Sequence, residues 1–298
     1  MAGTYHYLKY AKYRTSRIFD RCWGFSSSSI VGLRQSVTPG VLSVHRRDSG
    51  NIGDMMCSPF RYFRTTGHLY ELDIEPLDAL SPLLSRREDP LVLGGGGLFA
   101  FEAAVNRLLS RYQGPMIGWG IGRNNPLVGR GSRIQTEKFT LLGIRDWESG
   151  HEWLPCVSCL SPLFDLYRAV PAQHDFVLYD HQHVRQPIEG HPRLTNACMN
   201  FSQVLAFLSS GETVVTNSYH GAYWARLLGR RVVVLPFSDR LLHLRFPPIV
   251  GTAENYRERA KEDRPELAAL SLCREQNLRF SQRVSELIES ELQLTPTS

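Results

Sequence analysis

The stretch E-T-V-V-T-N-S-Y-H-G-A-Y-W-A-R-L-L-G-R-R-V-V-V-L-P, residues 212–236, decides the fold class. It opens with a β-branched run at 212–216 and closes with another at 231–236, both typical of buried strands. Between the two runs, apolar residues recur at helical spacing and predict a helix over residues 218–228. A strand, a helix and a second strand in this order form the unit from which parallel sheets are built.

The same unit recurs along the chain, with short apolar runs that end in glycine or in a polar turn. The further strands predicted in this way are 41–45, 90–93, 115–119, 141–146 and 175–179, with a helix at 99–112. Phe280, Val284, Leu287 and Ile288 follow one helical face near the end and predict a closing amphipathic helix. The sequence therefore predicts an α/β protein with two Rossmann-like domains facing a cleft and a C-terminal amphipathic helix.

Composition suggests where the domains divide. The chain has 298 residues, 42% of them hydrophobic, which is enough for two moderate cores. We expect a basic N-terminal segment with a Ser-rich linker at 1–38, one Rossmann-like domain at 39–165 and a second at 166–298 that includes the closing helix. The proline-flanked stretch 161–173 is predicted to link the two domains.

The net charge of +5 is concentrated in the first residues. Lys9, Lys12, Arg14, Arg17 and Arg21 stand against Asp20 alone within residues 1–21. The remaining chain is close to neutral, so we expect no nucleic-acid partner. Six cysteines without a regular framework, and no apolar leader or long apolar run, predict a cytoplasmic protein with reduced thiols.

Polar and glycine-rich turns follow the predicted strands, where open parallel sheets bind ligands. In S-G-N-I-G-D, Gly53 allows the backbone to approach a ligand, while Asn51 and Asp54 suit either a helix cap or sugar hydroxyls. The run G-G-G-G at 94–97 frees backbone N–H groups to face an anion or a sugar. Neither this run nor G-W-G-I-G at 118–122 fits the dinucleotide fingerprint.

Two further positions suggest chemistry. Arg145 ends a predicted strand next to Asp146, where it suits a phosphate or carboxylate, or a salt bridge. His220 lies in the first turn of a predicted helix, whose N-terminus favours anions, and an imidazole exchanges protons near neutral pH. His220 is therefore the candidate catalytic residue.

Other patterns rank lower. Cys156 and Cys159 form a single C-x-x-C without a second pair, which favours buried structural thiols over a zinc or redox site. His181 and His183 favour a polar loop over a metal site. Ser218 near His220 lacks the G-x-S-x-G context of a serine hydrolase. We therefore expect no metal.

Taken in order, N-I-G-D, G-G-G-G-L-F, G-W-G-I-G, I-R-D-W-E-S-G and T-N-S-Y-H-G before L-G-R-R-V-V-V-L-P resemble the polysaccharide pyruvyl transferase family. The resemblance covers about residues 40–240. It implies a two-domain fold similar to GT-B glycosyltransferases. It also implies transfer of a pyruvyl group from phosphoenolpyruvate to sugar hydroxyls of a surface polysaccharide or cell-wall glycan, leaving a ketal.

The resemblance assigns roles to residues of this chain. His220 matches the family's general acid, and Arg145 matches a contact to the donor's phosphate or carboxylate. The remaining substrate-binding candidates are Asn51, Gly53, Asp54, Gly95, Gly96, Gly97, Arg123, Asn217, Ser218, Tyr219 and Gly221.

The sequence departs from the family pattern at one position. Where many members carry an arginine that holds the donor's phosphate, this chain has Ser218. Arg123, Arg226 and Arg185 are the candidate replacements.

These assignments predict a transferase that needs no cofactor and uses phosphoenolpyruvate as donor substrate with a glycan or lipid-linked sugar as acceptor. The alternatives are a GT-B-type glycosyltransferase with a nucleotide-sugar donor and a non-catalytic glycan- or nucleotide-binding protein. Binding of phosphoenolpyruvate but not UDP distinguishes the first reading from the second. A non-catalytic binding protein is identified if His220→Ala keeps its ligand affinity and the substitution removes no activity.

The basic segment generates a prediction about membranes. Residues 1–24 carry tyrosines and one apolar face among their positive charges, which suits either an anionic membrane surface on the cytoplasmic side or a solvated, self-docking helix. If the segment binds lipid, the full chain floats with anionic liposomes and a chain lacking residues 1–24 does not. Neutral liposomes are the control, and equal flotation of both chains contradicts the membrane hypothesis.

Overall fold

The computed structural model describes residues 39–47, 49–124 and 133–294, which form two parallel β-sheets with helices packed around them. The first sheet has six strands and the second has five. The predicted mixed α/β fold is confirmed, and its two sheets are consistent with two Rossmann-like units. The basic segment 1–24 and the linker that follows it lie outside the described residues.

The first sheet takes its strands in the order β2-β1-β3-β4-β5-β6, and each neighbouring pair is parallel. Parallel pairing brings the carboxyl ends of all strands to one edge. The elements are β1 (Gly40–His45), α1 (Ile52–Met55), β2 (His68–Asp73), α2 (Leu77–Leu84), β3 (Leu91–Gly96), α3 (Glu102–Arg111), β4 (Met116–Ile121), β5 (Leu141–Ile144) and β6 (Glu152–Trp153).

The second sheet has the order β11-β10-β9-β7-β8, again with parallel neighbours. Single 3₁₀ turns occupy Pro59–Arg61, Leu98–Phe101, Thr136–Lys138, Val157–Leu160 and Asp239–Leu241. The elements are α4 (Leu163–Arg168), β7 (His174–Asp180), β8 (Arg193–Thr195), α5 (Phe201–Ser209), β9 (Gly211–Thr216), α6 (Tyr219–Leu227), β10 (Arg231–Val234), β11 (Ile249–Val250), α7 (Tyr256–Glu262) and α8 (Ala269–Leu294).

The strand–helix–strand unit at 212–236 is confirmed. Strands β9 and β10 pair in parallel with Thr213 opposite Arg231, and α6 connects them. Every residue of α6 is buried, because the helix packs between the second sheet and α8. Residue 218 caps this helix rather than belonging to it, since the Ser218 side chain accepts a hydrogen bond from the Gly221 N–H.

One sequence-based boundary is wrong. The glycines at 94–96 belong to β3, whereas the strand predicted from the sequence ends at residue 93. The chain around Cys57 and Pro59 packs so closely against these glycines that it occupies the space that side chains would fill. A Cβ at Gly94 would lie 2.6 Å from the Pro59 Cδ. The predicted linker 161–173 contains helix α4, which buries Phe164 in the core beneath the second sheet.

The closing amphipathic helix is confirmed, and its apolar face covers the first sheet. Helix α8 runs for 26 residues, and Phe280, Val284 and Ile288 pack against Val41 and Ile117. The domain boundary that we place near residue 165 stays a prediction. Helix α8 follows the second sheet along the chain but packs on the first sheet. No helix within the described ranges has the length and apolar character needed to cross a bilayer.

Asn277 of α8 connects three parts of the fold. Its side chain is fully buried, accepts a hydrogen bond from Trp119 Nε1 at 2.9 Å and donates to the carbonyl oxygens of Pro155 at 3.1 Å and Cys273 at 3.0 Å. Trp119 lies in β4, while Pro155 lies after β6 in the connection between the sheets. One amide side chain thus satisfies polar groups of the first sheet, the connection and α8.

We expect Asn277→Leu to lower the free energy of unfolding by roughly 2–4 kcal/mol, because the Trp119 N–H and the Pro155 carbonyl lose their partner inside the core. Urea denaturation followed by circular dichroism measures the change. Ser281→Ala, on a more exposed face of α8, is the matched control and should change stability by less than about 0.5 kcal/mol. Equal stability of Asn277→Leu and the parent chain contradicts this account.

Candidate functional site

The turn between β9 and α6 is held by its own polar side chains. The Asn217 Oδ1 accepts from the His181 N–H at 2.7 Å, and its Nδ2 donates to the Val184 carbonyl at 2.7 Å. The Ser218 hydroxyl accepts from the Gly221 N–H at 3.4 Å. Both side chains, predicted to bind substrate, therefore meet protein groups and fix the start of α6. Their binding roles stay predictions.

The His220 ring lies between the two sheets, against two thiols. Its Nε2 is 3.2 Å from the Cys57 Sγ and 3.6 Å from the Cys156 Sγ, and the two sulfurs are 3.5 Å apart. All three residues are buried, with exposed fractions of 1% for Cys57, 0% for Cys156 and 5% for His220. The indole of Trp224, four residues further along α6, packs against the imidazole, and the two ring centroids are 5.0 Å apart.

Gly53 is required by this arrangement. A Cβ at residue 53 would lie 2.2 Å from the His220 Nδ1, which is far inside any allowed contact. The predicted close backbone approach at Gly53 is thus an approach to His220 itself. Beside it, Ile52 donates its N–H to the Asn196 carbonyl at 3.0 Å, so helix α1 is fastened to the second half of the chain.

The pKa values of the two thiols are shifted in opposite directions. Burial raises the pKa of Cys57 well above its ordinary value, and hydrogen bonding to Cys156 adds to this. Burial also acts to raise the pKa of Cys156, but hydrogen bonds from Cys57, His220 and Ser158 outweigh it and hold that pKa well below its usual range. The geometry therefore favours a Cys156 thiolate beside a Cys57 thiol.

Asn51 and Asp54 have structural partners. The Asn51 Oδ1 accepts from the Gly53 N–H at 2.9 Å and caps α1, which is the capping alternative considered from the sequence. The Asp54 carboxylate accepts from Arg46 at 2.8 Å, and Arg46 also donates to Glu75 at 2.8 Å. Arg46 therefore lies between two carboxylates at the carboxyl edge of the first sheet.

The glycines of β3, and Gly97 directly after it, allow close packing of neighbouring chain segments. A Cβ at Gly95, whose φ is +25°, would lie 2.6 Å from the Cys57 Cβ, and one at Gly97 would lie 2.9 Å from the Asn124 Cβ. A Cβ at Gly96, whose φ is +90°, would stand 3.8 Å from the Cys57 Sγ and 3.9 Å from an Asp54 oxygen. The predicted anion-binding glycines thus lie next to Cys57 and Asp54 and let Cys57 reach the site.

Arg145 is a buried cation between the sheets. It is 2% exposed, its guanidinium stacks 3.8 Å from the Tyr219 ring centroid, and it donates from Nη2 to the Arg123 carbonyl at 3.1 Å. Its Nε has no hydrogen-bond partner among the described residues, and neither has the Oδ1 of Asp146. Burial acts to lower the pKa of Arg145, but Tyr219, Asp146 and the neighbouring thiols outweigh it and raise that pKa, so the side chain stays charged.

More arginines surround this position. The Asp146 Oδ2 accepts from the Arg123 N–H at 2.7 Å, and Asn124 accepts from Arg240 at 2.8 Å, which joins the first half of the chain to the second. Arg145 also lines a narrow cleft together with Arg226 and Arg245, and the Arg245 guanidinium lies 4.4 Å from the centroids of both Trp147 and Trp153. The region where the sheets meet is therefore cationic.

Of the three arginines suggested to replace the one missing at residue 218, Arg123 and Arg226 lie in this region, and Arg226 lines the same cleft as Arg145. Arg226 forms a buried salt bridge with Asp263, and Arg185 forms an exposed one with Glu189. Arg240 and Arg245 were missed because they lie in an irregular stretch without a strand end to mark them.

Cys57 was also missed, since the only visible signal was the C-x-x-C at 156–159. The structure divides that pair, because Cys156 meets Cys57 and His220 while Cys159 receives an N–H from Asn277. His181 and His183 lie near each other, with ring centroids 5.5 Å apart, but the described residues offer one metal-type cluster, made of Cys57, Cys156 and His220.

Comparison with protein-family models, with curated proteins and with solved structures found no match for this chain. The resemblance to polysaccharide pyruvyl transferases thus rests on the order and spacing of the motifs in the sequence.

His181 at the carboxyl end of β7 generates a pH prediction. Burial lowers its pKa well below the ordinary value, and the nearby charges of Arg240 and Arg46 act in the same direction. The folded chain keeps His181 neutral, whereas the unfolded chain protonates it near pH 6.5. The contribution of neutral His181 to stability is therefore present above about pH 6.5 and is lost as the pH falls through the folded-state pKa.

We expect His181→Gln to lose less stability than the parent chain between pH 7 and pH 5, because the unfolded variant gains one proton fewer over that range. Urea denaturation at the two pH values measures the difference. His151→Gln, a change at an exposed histidine, is the control. The same loss of stability in His181→Gln and the parent chain rules out this linkage.

Proposed function

We propose that the chain is a transferase with a GT-B-like cleft that binds an anionic donor between its two sheets. The donor that fits best is phosphoenolpyruvate, with its pyruvyl group passing to the hydroxyls of a sugar in a surface polysaccharide or cell-wall glycan. The observation that carries the proposal is Arg145, a buried guanidinium that forms no salt bridge with a described carboxylate. A buried charge is costly unless an anion compensates it.

The groups around Arg145 support an anion with more than one charge. Arg123 and Arg245 approach the same region, and Arg240 reaches it through Asn124. Asp146 and Cys156 act to raise the pKa of Arg145 and so favour its charged form, while burial raises the pKa of the Asp146 carboxyl. Phosphoenolpyruvate carries a phosphate and a carboxylate, and guanidinium groups recognise both by paired hydrogen bonds.

The chemistry of pyruvyl transfer balances without an oxidant. A sugar hydroxyl oxygen bonds to C2 of phosphoenolpyruvate while a proton is added to C3, and the hydroxyl proton leaves to a base. Phosphate then departs with the electrons of the C2–O bond, the second hydroxyl oxygen bonds to C2, and its proton passes to the departing phosphate, so that a ketal and inorganic phosphate remain. Arginines lower the energy of the departing phosphate by stabilising its negative charge.

The family resemblance assigns the C3 proton to His220. In this structure the Nε2 of His220 faces the thiols of Cys57 and Cys156, and the face of the ring near Nδ1 covers Gly53. The ring therefore meets protein groups rather than an open cavity, and the general-acid role stays a prediction. Donor binding by Arg145 does not depend on it.

The proposal is tested by thermal unfolding with phosphoenolpyruvate and, separately, with UDP and GDP. A ligand present at about 100 times its dissociation constant stabilises a protein by about 2.7 kcal/mol. We expect phosphoenolpyruvate alone to stabilise the parent chain, and Arg145→Gln to weaken its binding at least about tenfold, a loss of about 1.4 kcal/mol of binding free energy.

Arg231→Gln is the matched control, because Arg231 pairs with Glu212 at the opposite edge of the second sheet. If Arg145→Gln does not fold, Arg240→Gln replaces it, with weaker binding expected again. Stabilisation by UDP or GDP and none by phosphoenolpyruvate overturns pyruvyl transfer and favours a nucleotide-sugar donor.

A further inference from the structure

We propose that Cys57, Cys156 and His220 form a zinc site that fastens the two halves of the chain together. The three residues come from three separate segments: the turn after α1, the connection between the sheets, and α6. Their ligand atoms all lie within 4.8 Å of one another, and all three residues are buried. The inference concerns these residues alone and does not depend on the proposed donor.

The spacing of the three atoms matches one face of a zinc tetrahedron. Zinc–sulfur bonds of about 2.3 Å and zinc–nitrogen bonds of about 2.0–2.1 Å at tetrahedral angles separate two sulfurs by about 3.8 Å, and a sulfur from a nitrogen by about 3.6 Å. The observed separations are 3.5 Å between the sulfurs, and 3.2 and 3.6 Å from sulfur to Nε2. Shifts of a few tenths of an ångström would admit the ion.

The donor set suits zinc in particular. Two thiolates and one imidazole form a recognised zinc combination, in which a fourth position remains for water or a ligand. Soft sulfur ligands also disfavour magnesium and calcium, which prefer oxygen. On binding, the thiol protons leave to solvent, and the two negative sulfurs balance the charge of the ion.

Neighbouring groups hold the ligands in place. The Ser158 hydroxyl lies 3.2 Å from the Cys156 Sγ and accepts from Trp224 Nε1 at 2.9 Å, which orients both the hydroxyl and the helix that carries His220. Cys57 now directs its thiol to the Gly53 carbonyl at 3.0 Å, and this hydrogen bond is given up when the proton leaves. Supporting contacts of this kind commonly accompany the ligands of metal sites.

A zinc ion here would have one consequence for chemistry. It would occupy the Nε2 of His220, so that nitrogen could not donate a proton. Metal content therefore decides between a ligand role for His220 and the general-acid role that the family resemblance assigns to it.

The test uses the full chain, purified without an affinity tag after growth with added zinc. Elemental analysis should find about one zinc per chain, and replacement by cobalt(II) should give the intense near-ultraviolet band of cobalt–thiolate bonding with the visible bands of a tetrahedral ion. Cys57→Ser and Cys156→Ser should each lose at least about tenfold in zinc affinity, as ligand removal predicts.

Cys159→Ser and Cys273→Ser are the matched controls, since both thiols are buried but lie outside the cluster, and both variants should keep the metal. If the serine variants of the ligands do not fold, the cobalt spectrum of the parent chain still decides. Absence of a thiolate band, absence of bound zinc, or a disulfide between Cys57 and Cys156 in the purified chain overturns the proposal. If the purified chain holds no zinc and still binds phosphoenolpyruvate, only the metal inference has failed.

Discussion

The contact between Gly53 and the imidazole of His220 sets how closely the two halves of this chain approach each other. A single methyl group at residue 53 would lie 2.2 Å from the ring nitrogen, so the halves would have to move apart. The close approach allows the backbone of Ile52 to bond to Asn196 and that of Trp147 to bond to His243. The carboxyl edges of both sheets meet at this junction, where open parallel sheets bind ligands.

Most strands and helices could be predicted from the sequence because the patterns that indicate them are local. The β-branched runs that became β9 and β10 and the helical spacing of α6 depend only on neighbouring residues. The glycines of β3 were placed wrongly for the opposite reason. Their surroundings are created by Cys57 and Pro59, more than thirty residues away in the chain, and no local pattern announces such a neighbour.

The candidate site could be predicted only in part, because the same polar side chains suit two roles. Asn51, Asn217 and Ser218 are residues that cap helices or bind ligands with the same oxygen atoms, and in this structure those atoms cap and brace. The sequence could locate the polar turns but could not divide their hydrogen bonds between protein and ligand. Cys57 and Cys156, 99 residues apart, meet only because three segments converge on His220.

The path of α8 has a consequence for how the chain folds during synthesis. The indole N–H of Trp119 in the first sheet has its hydrogen-bond acceptor on Asn277, 158 residues later in the chain. Phe280, also in α8, covers the apolar face of the same sheet. The first sheet therefore leaves the ribosome with one apolar face uncovered, and it completes its core only after α8 has been made. An exposed apolar sheet face during this interval is a surface that chaperones recognise, so newly made chains should depend on them until α8 docks.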